Sequence, residues 1–233
     1  MIKEMTLQGL HERVHEIFTG LRVPKSANIL VLGAGQGAFE SRLLAGGYTH
    51  ITAVDLYTKH KLADKVRFLK IDLNEREFSK RISGKYSVII AMEVLEHLHN
   101  TYAFLDNCKK LLTKDGRIIV STPNVSWSVS RVDYVLTGRP TLFITKPGLG
   151  DHVNPVFLNI LEHHCEQLLL EVKASYPYGN FWGYFGAYQK CGIRSWIYLA
   201  ALGLLSGLLY ITMVRNRAEL SGLDRIRIIG HRR

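Results

Sequence analysis

Cysteine is scarce in this chain: Cys108, Cys165 and Cys191 are odd in number and scattered. That excludes a disulfide scaffold and the paired spacings of a zinc site, and it fits a reduced, cytosolic setting. The opening stretch, MIKEMTLQGLHERVHEIF, has no continuous apolar core and carries charge throughout, so it does not read as a secretory signal. No shift of composition divides the 233 residues, which are 47% hydrophobic and long enough for one well-buried domain over 1–233. Acidic residues are outnumbered: 20 Asp and Glu stand against 30 Lys and Arg, a formal charge of +10. Such an excess attracts polyanions and anionic membrane surfaces alike and does not distinguish them.

What is present alternates between strand and helix patterns. Residues 29–39, ILVLGAGQGAF, set a buried-strand run (29–32) against three glycines spaced two apart, Gly33, Gly35 and Gly37, before a helical pattern begins at Phe39. Glycine there lets the backbone turn at positive φ and approach a ligand closely, because no Cβ intervenes. Asp55 ends a second apolar run (51–54) and stands 22 positions beyond Gly33, a spacing that suits a carboxylate receiving both hydroxyls of a ribose. A nucleotide-like ligand follows. The dinucleotide fingerprint G-x-G-x-x-G is incomplete, with Ala38 in its last position, so further marks must separate a nicotinamide enzyme from an adenosyl-group enzyme. They lie downstream: a third strand over 68–71 ending in Asp72 and Leu73, a fourth over 87–91 followed by MEVLEHL, and a fifth over 116–120 followed by STPN. Helical stretches over 39–44 and 102–112 alternate with them, and strands six and seven are expected over 168–175 and 224–231. The pattern predicts a mostly parallel sheet covered on both faces. Leu7, Leu10, Val14, Ile17 and Leu21 recur at three- and four-residue steps and predict an amphipathic helix over the first strand.

From Asn28 to Asn124, and more loosely beyond, the chain resembles the class I S-adenosylmethionine-dependent methyltransferases. The resemblance implies an α/β, doubly wound, seven-stranded, mostly parallel sheet (a Rossmann-like methyltransferase fold) whose last strand is antiparallel, with S-adenosyl-L-methionine as cofactor. It further implies that Gly33, Ala34 and Gly35 pass under the methionine part. Asp55 would hold the ribose with Leu56 against the adenine, Asp72 would accept from the adenine amino group beside Leu73, and Met92 and Glu93 would close the pocket. Among subgroups, the ubiquinone-pathway, glycan-cluster and small-RNA O-methyltransferases share an E-x-x-E-H element, here Glu93, Glu96 and His97.

These three residues fall directly after strand four, at the end of the sheet where open α/β folds bind ligands. On a helix, positions i, i+3 and i+4 share a face, so two carboxylates and an imidazole would converge. Magnesium prefers the carboxylates, whereas manganese or iron takes the imidazole more readily. In the small-RNA enzymes this element binds a metal with a downstream histidine, a role the resemblance gives to His152 of GDHVNP; a purely pocket-shaping role is the alternative. His97 and His152 are also the candidate catalytic bases, since imidazoles titrate near neutrality. Asp151 either orients His152 or caps a turn before Pro155. MEVL stands where amino-group methylases carry N-P-P-Y or D-P-P-Y, which favours an oxygen acceptor. His163 and His164, beside Cys165 and Glu166, point in different directions along a helix and read as surface residues. Trp127, Tyr134 and Phe143 lie among Gly138, Pro140, Pro147, Gly148 and Gly150, a segment that reads as a long loop: a lid over the acceptor or an aromatic strip packed on the domain.

Between strands six and seven the connection, 176–223, is long where the fold needs a short one. It contains WIYLAALGLLSGLLYITMV (196–214), which in a helix reaches about 28 Å against a hydrocarbon core of about 30 Å. Strands six and seven share one sheet, however, so the chain must return to the side it left, and Lys190, Arg194, Arg215 and Arg217 make both flanks basic. The expectation is an apolar helical insert lying in the plane of the cytoplasmic membrane surface, with 181–190, FWGYFGAYQK, as its other arm. A buried core helix, or an oligomer-forming helix using the Gly203 and Gly207 pair, is the alternative. Arg215, Arg217, Arg225, Arg227, Arg232 and Arg233 cluster beside the apolar run and favour surface docking, whereas Lys59, Lys61, Lys65, Arg67 and Lys70 read as a solvated face. Two functions follow. One is a membrane-surface O-methyltransferase acting on a small-molecule, lipid-linked, glycan or quinone-like acceptor; the other is an RNA 2′-O-methyltransferase using a divalent cation, magnesium or manganese. A non-catalytic cofactor-binding module is the third possibility.

Overall fold

The runs ILVL, ITAVD and YSVIIAM are apolar and rich in β-branched residues, which suits strands buried on both faces. In the computed structural model, which describes residues 2, 4, 6–56, 60–138, 140, 143, 152–179 and 224–232, they form β1 (Ile29–Leu32), β2 (Ile51–Asp55) and β4 (Tyr86–Met92). Together with β3 (Arg67–Lys70), β5 (Leu112–Pro123), β6 (Leu170–Tyr178) and β7 (Asp224–His231) they make one seven-stranded sheet ordered β3-β2-β1-β4-β5-β7-β6. The first five strands are parallel, and β7 runs antiparallel to both of its neighbours. The order reverses between β1 and β4, which opens a crevice at their carboxyl ends.

The two-residue period of the strands splits the core. Ile29 and Val31 face the layer of α1 (Leu10–Gly20) and α2 (Ala38–Ala45), against Leu10, Val14, Phe18, Phe39 and Leu43. Leu30 and Leu32 face α3 (Thr101–Leu111) and α5 (Leu158–Gln167), against Phe104, Leu105, Cys108, Leu161 and Cys165. The predicted N-terminal helix therefore covers β1 as expected. Asn100 caps α3, its side chain accepting from the Ala103 N–H at 2.9 Å. Burial raises the thiols of both described cysteines, that of Cys165 to about 12, so neither is a reactive thiolate.

Three expectations change. The stretch around Trp127 and Tyr134 is a helix, α4 (Ser128–Thr137), and Gly138 closes it at φ 71° with its N–H on the Tyr134 carbonyl. Its signal is concealed because its buried residues are Ser128, Ser130 and Asp133 with Val129 alone apolar, which leaves no apolar inner stripe to detect. Strand β6 runs to Tyr178, into the stretch expected to begin the insert, because Pro177 and Tyr178 still pair with Arg225 and Asp224. The C-terminal arginines divide: Arg232 is exposed, but Arg225 and Arg227 are 0% and 1% exposed. β7 lies between β5 and β6 and residues 225–230 are buried on both faces; the RIRI alternation puts Ile226 and Ile228 in the α1 and α2 layer and the arginines on the opposite face, where Arg227 acts on Cys165 of α5. Arg227 Nη1 reaches Thr122 Oγ1 at 3.3 Å.

Residues 181–190 and 196–214, with Lys59, Cys191, Arg215, Arg217, Arg233 and Asp151, lie outside the described residues. Among the described residues no helix is long and apolar enough to cross a membrane.

Candidate active site

The glycine loop grows directly out of the β1–β2 ladder. Gly33 and Ala34 both donate to the Val54 carbonyl, at 2.9 and 3.0 Å, and the Gly35 N–H reaches Asp55 Oδ2 at 2.9 Å. Asp55 is thereby oriented towards the loop it serves. Glycine is required at two positions for different reasons. At Gly33, φ is 72° and a Cβ would stand 2.4 Å from Val94 Cγ2; at Gly35, φ is 56° and a Cβ would meet no protein atom within 4 Å, so it would project into free space. That space is a cavity of about 640 Å³ lined by Gly33, Ala34, Gly35, Asp55, Leu56, Asp72, Leu73, Met92 and Glu93, every residue assigned to the cofactor from sequence. Asp72 Oδ1 accepts from the Asn74 N–H at 2.8 Å, and Asn74 Oδ1 accepts from the His99 N–H at 2.9 Å, which ties the loop after β3 to the one after β4.

The E-x-x-E-H element is not a helical face. Only Leu95–His97 turns, as one 3-10 turn, and Glu93 precedes it at φ 51°. The Glu93 N–H still reaches Ser121, at 3.1 Å to its carbonyl and to its Oγ, so the left-handed residue swings its side chain back over β5. There Ser121 Oγ donates to Glu93 Oε1 at 2.7 Å. Burial pushes the Glu93 carboxyl up to about 7, partly offset by that hydrogen bond.

Glu96, His97 and His152 do come together. One ligand atom from each lies within 4.8 Å of the others, Glu96 buried and His97 exposed, whereas Glu93 is not part of this group. The two imidazoles meet edge to face, with centroids 4.8 Å apart. His152 arrives from far along the chain because the next two residues are pinned: the Val153 and Asn154 N–H groups both donate to the Glu96 carbonyl, at 2.9 and 3.0 Å, and Asn154 Nδ2 donates to Thr101 Oγ1 at 2.7 Å. Val153 and His97 also line the cofactor-side cavity. Beyond this strip, Pro155 and Phe157 line a second, larger groove of about 990 Å³ between α4 and α5, with Arg131, Tyr134 and Val135 on its far side.

Sequence reasoning missed Ser121, whose only signal is its place at the end of β5 opposite Met92, and missed Thr6 and His11, which line the cavity from the N-terminal segment. His163 is exposed and His164 half-buried, while Cys165 faces the core, as adjacent positions on a helix require.

Comparison with known proteins agrees with this geometry. A family described as Methyltransferase domain matches residues 4–168. The ubiquinone biosynthesis O-methyltransferase of Aromatoleum aromaticum is 25% identical over 150 residues, 61% of this chain and 63% of the relative. That of Rickettsia bellii is 32% identical over 107 residues, 41% of this chain and 42% of the relative. The chain thus spans between 42% and 63% of the length of these two relatives. Among solved structures, a SAM dependent methyltransferase from Archaeoglobus fulgidus superposes with a TM-score of 0.61 at 16% identity, covering 96% of this chain and 95% of the other. The magnesium protoporphyrin IX methyltransferase of Synechocystis PCC 6803 with bound SAH does so with a TM-score of 0.57 at 13% identity, covering 97% and 84%. These two likenesses show the fold. With the family match covering most of its length, the chain belongs to the methyltransferase-domain family, among the class I S-adenosylmethionine-dependent methyltransferases.

Proposed function

We propose that this protein transfers a methyl group from S-adenosylmethionine to an oxygen of a small amphiphilic acceptor, quinone-like or lipid-linked, at a membrane surface. One observation carries the reading: a cavity with Asp55 and Asp72 at its strand ends has His97 on its wall, His97 gathers with Glu96 and His152, and the segment after His152 runs from Val153 on that cavity to Pro155 and Phe157 on a separate groove. The names of the relatives agree with an oxygen acceptor and a quinone precursor.

When bound, the cofactor supplies a methyl carried on a sulfonium, open to in-line displacement. Asp55, which accepts from the Gly35 N–H, would accept from ribose hydroxyls, and the Ile71–Leu73 strip of the cavity wall would flank the adenine. His97 and His152, with ring centroids 4.8 Å apart, would take the proton from an acceptor hydroxyl. Glu96, His97 and His152 form a donor set that fits a divalent cation, which would polarise the acceptor oxygen. The groove favours an acceptor with an apolar body, since Tyr134 and Val135 line it and are 55% and 82% exposed. An RNA acceptor is less well supported, because Arg225 and Arg227 are buried and leave the surface charge smaller than the sequence total suggests.

The test is a methylation assay offering a hydroxylated quinone precursor and a short RNA in parallel, with and without excess chelator, alongside co-sedimentation with anionic vesicles. Methylation of the phenol and retention on vesicles are expected. Methylation of the RNA alone would replace the acceptor assignment, full turnover in chelator would remove the cation, and failure of S-adenosylmethionine to bind would overturn the reading.

A further inference from the structure

The loop that begins at Asp55 is tied to the glycine loop at both of its ends. At the near end the Gly35 N–H donates to Asp55 Oδ2. At the far end the chain returns at residues 60–62, where the Lys61 N–H donates to the Gln36 carbonyl at 3.2 Å. The His60 ring closes on Gly37 there: a Cβ on that glycine would stand 2.9 Å from His60 Cε1 and Nε2 and 3.3 Å from Leu62 Cδ1. Asp55 and Leu56 line the cofactor cavity on one side of this tie, and Gly35 and Gln36 line it on the other.

Two ionisable side chains make the far contact, and both are sealed from water. His60 Nε2 stands 3.6 Å from Oε1 of Glu40, in the first turn of α2, and each side chain is 0% exposed. His60 Nδ1 accepts from the Leu62 N–H at 3.2 Å, so the ring proton is on Nε2, the atom that faces Glu40. The ring also stacks on Phe68 of β3, with centroids 5.1 Å apart. Neither Glu40 oxygen has a hydrogen-bond partner, and 3.6 Å is beyond hydrogen-bond length. A carboxyl group buried in this way costs stability, and an apolar pair of similar volume would serve the core as well or better. The geometry gives the pair another use. Its imidazole joins the 60–62 turn, through Leu62, to α2, through Glu40, at the residue where the glycine loop ends.

We propose that Glu40 and His60 are positioning residues for the cofactor: they fix the far end of the loop that begins at Asp55, and so set the spacing between the ribose carboxylate and the backbone of Gly35 and Gln36. Both act through other residues, since neither lines the cavity. This rests on the cofactor assigned above.

The experiment uses the full chain and two readouts, one of which needs no ligand. In the double variant Glu40→Met with His60→Leu the buried pair becomes apolar at similar size, and the urea midpoint should stay at or above that of wild type. Amide exchange of the Lys61 N–H should nevertheless quicken by about tenfold, while Leu43 and Leu44 in α2 keep their protection. Calorimetry should show S-adenosylhomocysteine bound about 3- to 10-fold more weakly, the range of one neutral hydrogen bond. Glu40→Gln, which keeps a polar partner beside the ring in nearly the same shape, should stay within about twofold of wild type in both readouts. If the double variant does not fold, His60→Gln, which keeps a donor towards Glu40 but offers the Leu62 N–H no ring nitrogen, carries the same two expectations. Unchanged Lys61 exchange and unchanged affinity would reduce the pair to core packing and overturn the proposal. A loss in Glu40→Gln as large as in the double variant would overturn it too, since the carboxylate charge and not the tie would then matter. Faster Lys61 exchange with affinity intact overturns the positioning role alone, whereas a wild-type chain that does not bind S-adenosylhomocysteine overturns the cofactor reading on which it rests.

Discussion

Helices α1 and α4 are of similar length, 11 and 10 residues, yet they are built inside out relative to each other. In α1 the buried positions are Leu10, Val14, Ile17 and Phe18, with His11 beside them, and the charges face outward. In α4 the buried positions are Ser128, Val129, Ser130 and Asp133, while Tyr134, Val135 and Leu136 are 55%, 82% and 53% exposed. A helix packed on a core advertises its inner face through apolar spacing. A helix that walls a groove need not, because apolar residues such as Tyr134 and Val135 serve the groove instead of the core. The same division runs through the site: the strand-end residues Asp55, Asp72 and Met92 line the cofactor cavity, whereas α4 and α5 line the groove through Ser130, Arg131, Tyr134 and Val135 and through Leu158, Asn159 and Glu162.

The largest effect expected from this comparison is on the α1 side. Phe18 is fully buried and meets Tyr48 edge to face at 5.0 Å, so Phe18→Ala should cost about 3 to 5 kcal/mol in denaturant unfolding through lost burial and an unfilled cavity. A loss below about 1 kcal/mol would mean that α1 is peripheral and that the contrast with α4 is false.

Next comes the boundary between scaffold and site. Asp55→Ala removes the acceptor of the Gly35 N–H and the carboxylate proposed for the ribose, and cofactor affinity should fall by about 2 to 4 kcal/mol while the sheet persists. Unchanged affinity in calorimetry would sink the assignment of Asp55.

How much of this was legible in the sequence follows the same line. Strand β7 is predicted to the residue over 224–231, and β1, β2 and the glycine loop are correct because apolar runs ending in Gly or Asp state both a burial pattern and a backbone requirement. Asp55, Asp72 and their neighbours could be placed because each ends or follows a strand, and strand ends converge in a parallel sheet. Glu93 lines the cavity as expected but does not join Glu96, His97 and His152. Its helical spacing to Glu96 and His97 was misleading, since a single left-handed residue breaks the face, and φ at one position leaves no periodic trace. His11 was hidden because its helix reads as a plain core helix, and α4 because its apolar side is the wrong one for a core. Arg225 and Arg227 looked like surface charge only because alternation alone does not say that a strand is central.

A smaller effect tests Glu93. Its carboxyl is raised by burial from an ordinary 4.5 to about 7, so folding favours the neutral form. The stability this contributes is complete below about pH 4.5, declines as the pH rises through 7 and is absent above it. Glu93→Gln keeps a neutral side chain at every pH. Urea midpoints at pH 5 and pH 8 should therefore draw closer together in the variant than in the wild type. Identical pH slopes in the two proteins would mean that the Glu93 carboxyl is solvated and not packed against Ser121.

The smallest stability effect belongs to α4, and it is the sharpest test of the inside-out description. Val135 is 82% exposed and lines the groove, so Val135→Ser removes apolar surface that the fold does not bury. Folding stability should stay within about 0.5 kcal/mol of wild type, the range of surface substitutions away from special features. Function should not be equally indifferent. If the groove holds the apolar body of the acceptor, two lost methyl groups and a gained hydroxyl should raise the acceptor KM severalfold, on the order of 1 to 2 kcal/mol, while kcat and cofactor affinity hold. A substitution silent in unfolding yet visible in acceptor KM separates a groove wall from a core helix. Should Val135→Ser instead destabilise the protein by more than about 1 kcal/mol with acceptor KM unchanged, α4 packs as α1 does and the groove is not where the acceptor binds.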